Sequence, residues 1–108
     1  MADILTIPVA RAAPNQSQTT TLDGRAFRLT FKWNARIGRW FLDLETSGGT
    51  SILAGKAVVL GADLLRQVRW SPEAPPGALI AVDFQGGGQE AGLETLGERV
   101  RLLYFTAG

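Results

Sequence analysis

Residues 27–46 read FRLTFKWNARIGRWFLDLET, and two runs within this stretch place apolar side chains at every second position. In the first run, 27–34, aromatic residues and a leucine alternate with charged or polar residues. In the second run, 39–46, a tryptophan and two leucines occupy alternate positions. A period of two is typical of half-buried antiparallel strands. The residues between the runs, 35–38, therefore predict a hairpin loop, in which Gly38 supplies the positive φ that such a loop needs.

Two tryptophans, Trp33 and Trp40, fall on the apolar sides of these runs. Aromatic residues so close to arginines could form a stacking platform for a nucleic acid or a sugar, a contact surface for another protein, or the core of the hairpin. A stacking platform needs exposed aromatics and bases on one face, whereas Arg28 and Lys32 alternate with the aromatic residues. We therefore expect the two tryptophans to pair across the strands inside the core.

The segments on either side of the hairpin carry further strand patterns. Asp23-Gly24 favours a tight type I′ turn, which predicts that a threonine-rich edge strand over 18–22 pairs with 27–34. Gly55 indicates a bulge or a bend in the segment that follows the hairpin. Further extended segments are predicted at 51–60, 78–84 and 99–105.

The alternation stops at GADLLRQV, residues 61–68, where Asp63 is placed to cap one or two helical turns. These turns would direct Leu64, Leu65 and Val68 inward. The proline-rich sequence SPEAPPG at 71–77 then predicts a loop.

Six or seven short strands, glycine-rich turns and one short helical turn are typical of a small antiparallel β-barrel or sandwich. The 108 residues suit one domain and are enough to bury one core. We therefore predict a single, mostly β domain over 1–108. Within it, residues 1–20 supply an edge strand and an extended arm, and the segment 8–17 is either a loop or part of that arm.

The composition removes most catalytic chemistry from consideration. The chain has no cysteine and no histidine, so it lacks a thiolate nucleophile, the commonest general base and the usual ligands of zinc, haem and iron–sulfur clusters. Gly55-Lys56 fails the phosphate-loop pattern, because Thr50 and Ala57 stand where glycine and serine or threonine are required. We therefore expect no enzymatic activity, no catalytic residue, no cofactor and no metal.

Charge is distributed unevenly along the chain. Residues 1–40 contain six bases and two acids, and residues 41–108 contain five bases and eight acids. This asymmetry suits a chain whose two ends face different partners, or the same partner head to tail, although charges scattered by chance would look the same. The basic excess is too weak to predict specific nucleic-acid binding. No apolar run reaches the roughly 18 residues of a membrane span, and Asp3 argues against a secretory signal, so folding in the cytosol is expected.

Two stretches resemble a known family. In the run from 27 to 65, a W-N loop precedes a G-x-W-F-L-D-L strand, and a G-x-D-L-L turn ends the run. With GERVRLLYFTAG at 97–108, this resembles the baseplate plug domain of cyanophages and other contractile-tailed phages. The resemblance covers about residues 22–70 and 93–107 and rests on apolar residues and glycines.

The resemblance implies a structural virion component without enzymatic activity. It would plug or pack the distal end of the tail tube against hub, spike or tube proteins, as a homo-oligomer around the tail axis, and would assemble in the cytoplasm of the bacterial host. The residues themselves leave one alternative open, which is a small β-barrel binding module for nucleic acid or carbohydrate.

Candidate interface residues are those that the strand pattern does not explain. Ile37 occupies a loop tip between Arg36 and Arg39, and arginine is enriched at interfaces. Arg11 lies in the unpatterned segment at 8–18, which we expect to order against another surface. Trp70 precedes the proline-rich loop and is either a lid on the core or an exposed anchor for a neighbour.

Overall fold

The computed structural model describes residues 3–10, 13–86, 88, 90, 92–93 and 95–107. This part of the chain is mostly β, as the sequence predicts, and its short helical segment is a 3-10 helix over Arg66–Val68. The strands are β1 (Ile4–Ile7), β2 (Asn15–Leu22), β3 (Arg25–Asn34), β4 (Arg39–Thr46), β5 (Ser51–Ala57), β6 (Ala78–Asp83) and β7 (Val100–Phe105).

The strands form two antiparallel sheets that are not closed into a barrel. The small sheet has the order β1-β7-β6, and the large sheet has the order β2-β3-β4-β5. Each strand of the large sheet pairs with its neighbour in sequence, whereas β1 pairs with the last strand of the chain. Of the two architectures that the sequence left open, the structure therefore has the two-sheet arrangement.

The hairpins of the large sheet follow the sequence signals. Asp23 and Gly24 have φ angles of 50° and 82°, and positive φ at both central residues defines the predicted type I′ turn. Gly38 has a φ of 71° and ends the loop between β3 and β4. Trp33 lies opposite Trp40 in the register of these strands, and the ring centroids are 5.5 Å apart with an interplanar angle of 60°. The expected cross-strand pair is confirmed.

The first 22 residues contain two strands, and this differs from the prediction of one edge strand and an arm. β1 belongs to the small sheet, and β2 begins at Asn15, so that part of the expected arm pairs with β3. Gln16 and Gln18 fix the connection between the sheets, because their side chains bond to backbone groups of Pro8, Ala10 and Ala13. The chain itself thus orders residues that we expected to need another surface.

The strand after the hairpin ends earlier than predicted, at Ala57 instead of Leu60. Val58 enters the core, and Leu60 forms a parallel bridge with Ala81 of β6. The predicted bulge is present, because Gly55 has a φ of 64° and the pairing of β4 with β5 shifts beside it.

One hydrophobic core lies between the two sheets. Both sheets contribute their inward faces, and the connections between β5 and β6 and between β6 and β7 add further apolar side chains. The fully or almost fully buried members are Ile7, Leu22, Phe27, Leu29, Phe31, Trp40, Leu42, Leu44, Leu53, Val58, Leu64, Leu65, Leu79, Ala81, Leu96, Val100, Leu102 and Tyr104.

Tyr104 joins the sheets through its buried hydroxyl group. The hydroxyl donates to Asp23 Oδ2 in the β2–β3 turn at 2.5 Å and accepts from the backbone N–H of Gly77 at 2.8 Å. Asp23 Oδ2 also accepts from the backbone N–H of Ala107. One carboxylate and one phenol thereby connect the large sheet, the start of β6 and the segment after β7.

Candidate interaction surface

The β3–β4 loop is held in one conformation by Asn34. Its side-chain Oδ1 accepts from the backbone N–H groups of Arg36 and Ile37 at 3.1 and 3.2 Å, and its carbonyl accepts from Gly38 N–H at 2.8 Å. Asparagine often orders a turn in this way. This role was not predicted from the sequence, although an asparagine directly before a short glycine-containing loop is the signal for it.

The loop presents an apolar tip with positive charge on both sides. Ile37 is 63% exposed, Arg36 is exposed and Arg39 is half-buried. Within the described residues, neither guanidinium group forms an ion pair, whereas four other basic side chains do. The loop thus offers an ordered hydrophobic contact and two cations that remain available for external carboxylates.

A shallow groove of about 430 Å³ lies beside the loop. It is lined by Lys32, Trp33, Asn34, Ala35, Arg36 and Phe41. Trp33 is half-buried against Trp40, and Lys32 Nζ lies 3.0 Å from Asp43 Oδ2. The groove therefore combines aromatic surface with one lysine that is already paired and one arginine that is not.

Trp70 is exposed and does not cover the core. Its side chain is 81% exposed, and the indole N–H donates to the Gln67 carbonyl at 3.1 Å. Pro72, two residues further on, accepts from Arg25 at the beginning of β3, while Ile37 follows the end of that strand. The segment after Trp70 therefore contacts the end of β3 that lies away from the β3–β4 loop.

Arg11, the remaining candidate, lies outside the described residues. Of the five candidate residues, three lie in or beside the β3–β4 loop, Trp70 lies in the exposed segment after the 3-10 helix, and Arg11 is not described.

Two acids on β4, Asp43 and Glu45, have structural partners. Asp43 Oδ1 accepts from the backbone N–H of Gly55 at 2.7 Å, and its other oxygen pairs with Lys32. The Gly55 hydrogen bond, followed by the Lys32 contact, lowers the pKa of Asp43. Glu45 lies 3.8 Å from Arg28 Nε. Asp43 therefore stabilises the β5 bulge, a role that the alternation pattern alone does not reveal.

The described residues contain no cluster of three or more acidic side chains arranged to hold a metal ion. In that same part of the chain, no helix has the length and hydrophobicity needed to cross a bilayer.

A family model described as the cyanophage baseplate Pam3 plug gp18 matches residues 4–107. No curated protein matches the chain. The family match extends over both sheets, the β3–β4 loop and Trp70.

Proposed function

The chain belongs to the family of cyanophage baseplate plugs, and on this premise we propose that it plugs the distal end of a phage tail tube by packing against hub, spike or tube proteins. Family membership itself makes the protein a structural component of a bacteriophage baseplate, located in the virion tail. The match over residues 4–107 is the observation that carries the proposal, because it includes every element of the fold.

The β3–β4 loop and Trp70 supply the contacts in this proposal. Arg36, Ile37 and Arg39 meet one neighbour and Trp70 meets another, with Arg11 as a further contact residue. The loop supports this role because it is ordered, apolar at its tip and positively charged. Large aromatic residues and arginine are the side chains that most often dominate binding at protein interfaces.

Two separate contacts also suit an assembly of identical copies around the tail axis. Glu73 is exposed near the Trp70 end and forms no ion pair within the described residues. Carboxylates at this end of one copy could face the arginines of the next copy. Repeated contacts of this kind close into a ring when the rotation between copies permits it. Assembly would take place in the host cytoplasm before the tail is complete.

The experiment combines Ile37→Asp with Arg36→Glu in the phage gene. Because both side chains point away from the core, we expect a nearly unchanged melting temperature and a reduced amount of the protein in purified virions. The control, Thr19→Asp with Thr21→Glu, introduces the same two acidic side chains on the outward face of the large sheet, close to Arg28, and should be incorporated normally. Equal incorporation of both variants would show that the loop is not part of the interface. Unfolding of the first variant would show that Ile37 belongs to the core.

The aromatic groove supports the second candidate, a binding module for nucleic acid or carbohydrate. Trp33 and Phe41 lie beside Arg36 there, and base or sugar stacking uses such surfaces. Titration of the purified chain with an oligonucleotide and with an oligosaccharide, followed by tryptophan fluorescence, tests this function. A saturable change that Arg36→Glu abolishes would favour it over a purely structural role.

A further inference from the structure

The two sheets differ in the side chains that they turn outward. On the large sheet, the outward positions of β2 and β3 are mostly hydroxyl-bearing or charged, and two ion pairs connect β3 to β4. Ser17 and Thr30 also share a hydrogen bond on this face. This is the usual arrangement of an antiparallel sheet with one side on the core and the other in solvent.

The small sheet is apolar on both sides. Its register places residues opposite one another on the same face, and the set that includes Tyr104 and Leu102 points into the core. The other set faces outward and contains one charged and one hydroxyl-bearing residue among apolar ones. Its members are Ile4, Thr6, Ala78, Ile80, Val82, Arg101, Leu103 and Phe105.

Phe84, directly after β6, extends this outer apolar face. Its ring lies 4.7 Å from the Arg101 guanidinium carbon and is 52% exposed. Ile4 is 59% exposed at the opposite corner. Leu103, in the middle strand, is 8% exposed and lies outside the core cluster. Ile80, Val82 and Phe105, which lie on this face between the two corners, are half-buried, so apolar surface continues across the sheet. Contiguous apolar surface is often an interaction site.

We propose that the outer apolar face docks onto an apolar surface of another baseplate protein. The kind of partner follows from the area of this face and from the charge of Arg101. Three strands about 4.8 Å apart, one of four residues and two of six, give a face of roughly 250 Å², whereas a stable dimer needs about 800 Å² from each partner. Two copies stacked face to face would bury only about 500 Å² in total, which is below the size of a stable interface. A larger neighbour can cover it together with adjacent segments.

Arg101 specifies the partner further. Its Nε donates to the Glu98 carbonyl, and it forms no ion pair with any carboxylate in the described part of the chain. The partner surface should therefore be apolar at its centre and carry a carboxylate opposite Arg101. The inference rests on the proposed function for the class of partner, and it concerns a face that the loop contacts do not use.

The first test is Ile80→Glu, with Thr21→Glu on the large sheet as its matched control. Ile80 lies opposite Leu103 at the centre of the face and outside the core cluster, so the isolated variant should still fold. A carboxylate buried without a partner should reduce incorporation into virions by about a hundredfold. Thr21→Glu should leave incorporation unchanged. Normal incorporation of Ile80→Glu would overturn the inference.

The second test does not depend on a charged variant. A photo-crosslinking phenylalanine analogue replaces Phe84 in one sample and Thr19 in another, and purified virions are irradiated. We expect a product with a different tail protein from position 84 and none from position 19. A dimer of this chain would overturn the choice of partner, and no product from position 84 would overturn the docking face. Absence of the unaltered chain from virions would overturn the proposed function, and the inference with it.

Discussion

At the scale of single residues, Gly77 and Tyr104 depend on each other. A Cβ atom on Gly77 would lie 2.1 Å from the Phe105 carbonyl oxygen and 2.7 Å from the Tyr104 ring. Both neighbours are fixed, since the carbonyl belongs to the end of β7 and the ring is completely buried. The close approach allows the Gly77 N–H to reach the phenol oxygen. Glycine is required here by space and not by a positive φ.

We expect Gly77→Ala to lower the free energy of unfolding by about 3 kcal/mol, because the new methyl group must displace backbone or a buried ring. Gly48→Ala is the control, since a Cβ there would meet only Thr46 Oγ1, at 3.8 Å, and should change stability by less than about 0.5 kcal/mol. Urea unfolding of both variants measures the difference. Similar values for the two would show that the start of β6 can move away from Tyr104.

The same phenol makes stability depend on alkaline pH. Burial, and then the hydrogen bond to Asp23, raises the pKa of Tyr104 to about 12 from its ordinary value of 10.0. The folded state therefore holds this proton more tightly than the unfolded state does, and stability falls as pH rises from about 10 to about 12. Unfolding measured across this range should show a smaller decrease for Tyr104→Phe than for the unaltered chain. Parallel decreases would mean that other groups cause the alkaline loss.

At the scale of elements, the β5 bulge is an interaction between two strands. Gly55 provides the left-handed backbone, and Asp43 on β4 accepts its N–H. Lys32 on β3 then holds the other carboxylate oxygen. Three consecutive strands are thereby linked on the outward side of the large sheet.

Acidification should weaken this link. The pKa of Asp43 is lowered in the folded protein by Gly55 N–H and Lys32, so its contribution is present above the ordinary value of 3.8 and is lost as pH falls below that value. Asp43→Asn should be less stable than the unaltered chain at neutral pH and should lose less stability on acidification. Glu45→Gln removes a carboxylate from the same face without changing the bulge. If Glu45→Gln showed the same pH dependence as Asp43→Asn, the effect would not belong to the bulge.

The strands and turns also show which sequence patterns were sufficient to predict the fold. Strict alternation and the Asp23-Gly24 turn predicted the large-sheet hairpins, because both signals are local. β1 was overlooked because its four residues have no local partner and are paired with β7 almost a hundred positions away. Exposure at the β3–β4 loop was foreseen from Ile37. The sequence left the exposure of Trp70 open because its neighbours in sequence show no alternation. The outward apolar face could not be predicted because it depends on the register of three strands that are distant in sequence.

At the scale of the whole molecule, two sheets share one core. Side chains from both sheets belong to the same cluster, and Tyr104 fastens the small sheet to the β2–β3 turn. Neither sheet has another apolar layer on which to fold separately. The domain should therefore unfold in one step.

Two probes can follow the sheets separately. Trp33 and Trp40 report on the large sheet, provided that Trp70→Phe removes the exposed indole, and far-ultraviolet circular dichroism reports on all strands. We expect coincident transitions and a single midpoint in urea for this variant. Distinct midpoints would show that the small sheet opens first while the tryptophan pair stays intact.

The pairing of β1 with β7 has a consequence for synthesis. β1 is translated well before its pairing partner β7, which lies between β1 and β6 in the small sheet. The four strands of the large sheet, in contrast, can pair in the order in which they are translated. A nascent chain that stops before Val100 can build that hairpin array but leaves the first strand without its neighbour. The outer apolar face therefore forms only once translation has passed β7, so a chain that ends before β7 lacks the proposed docking face.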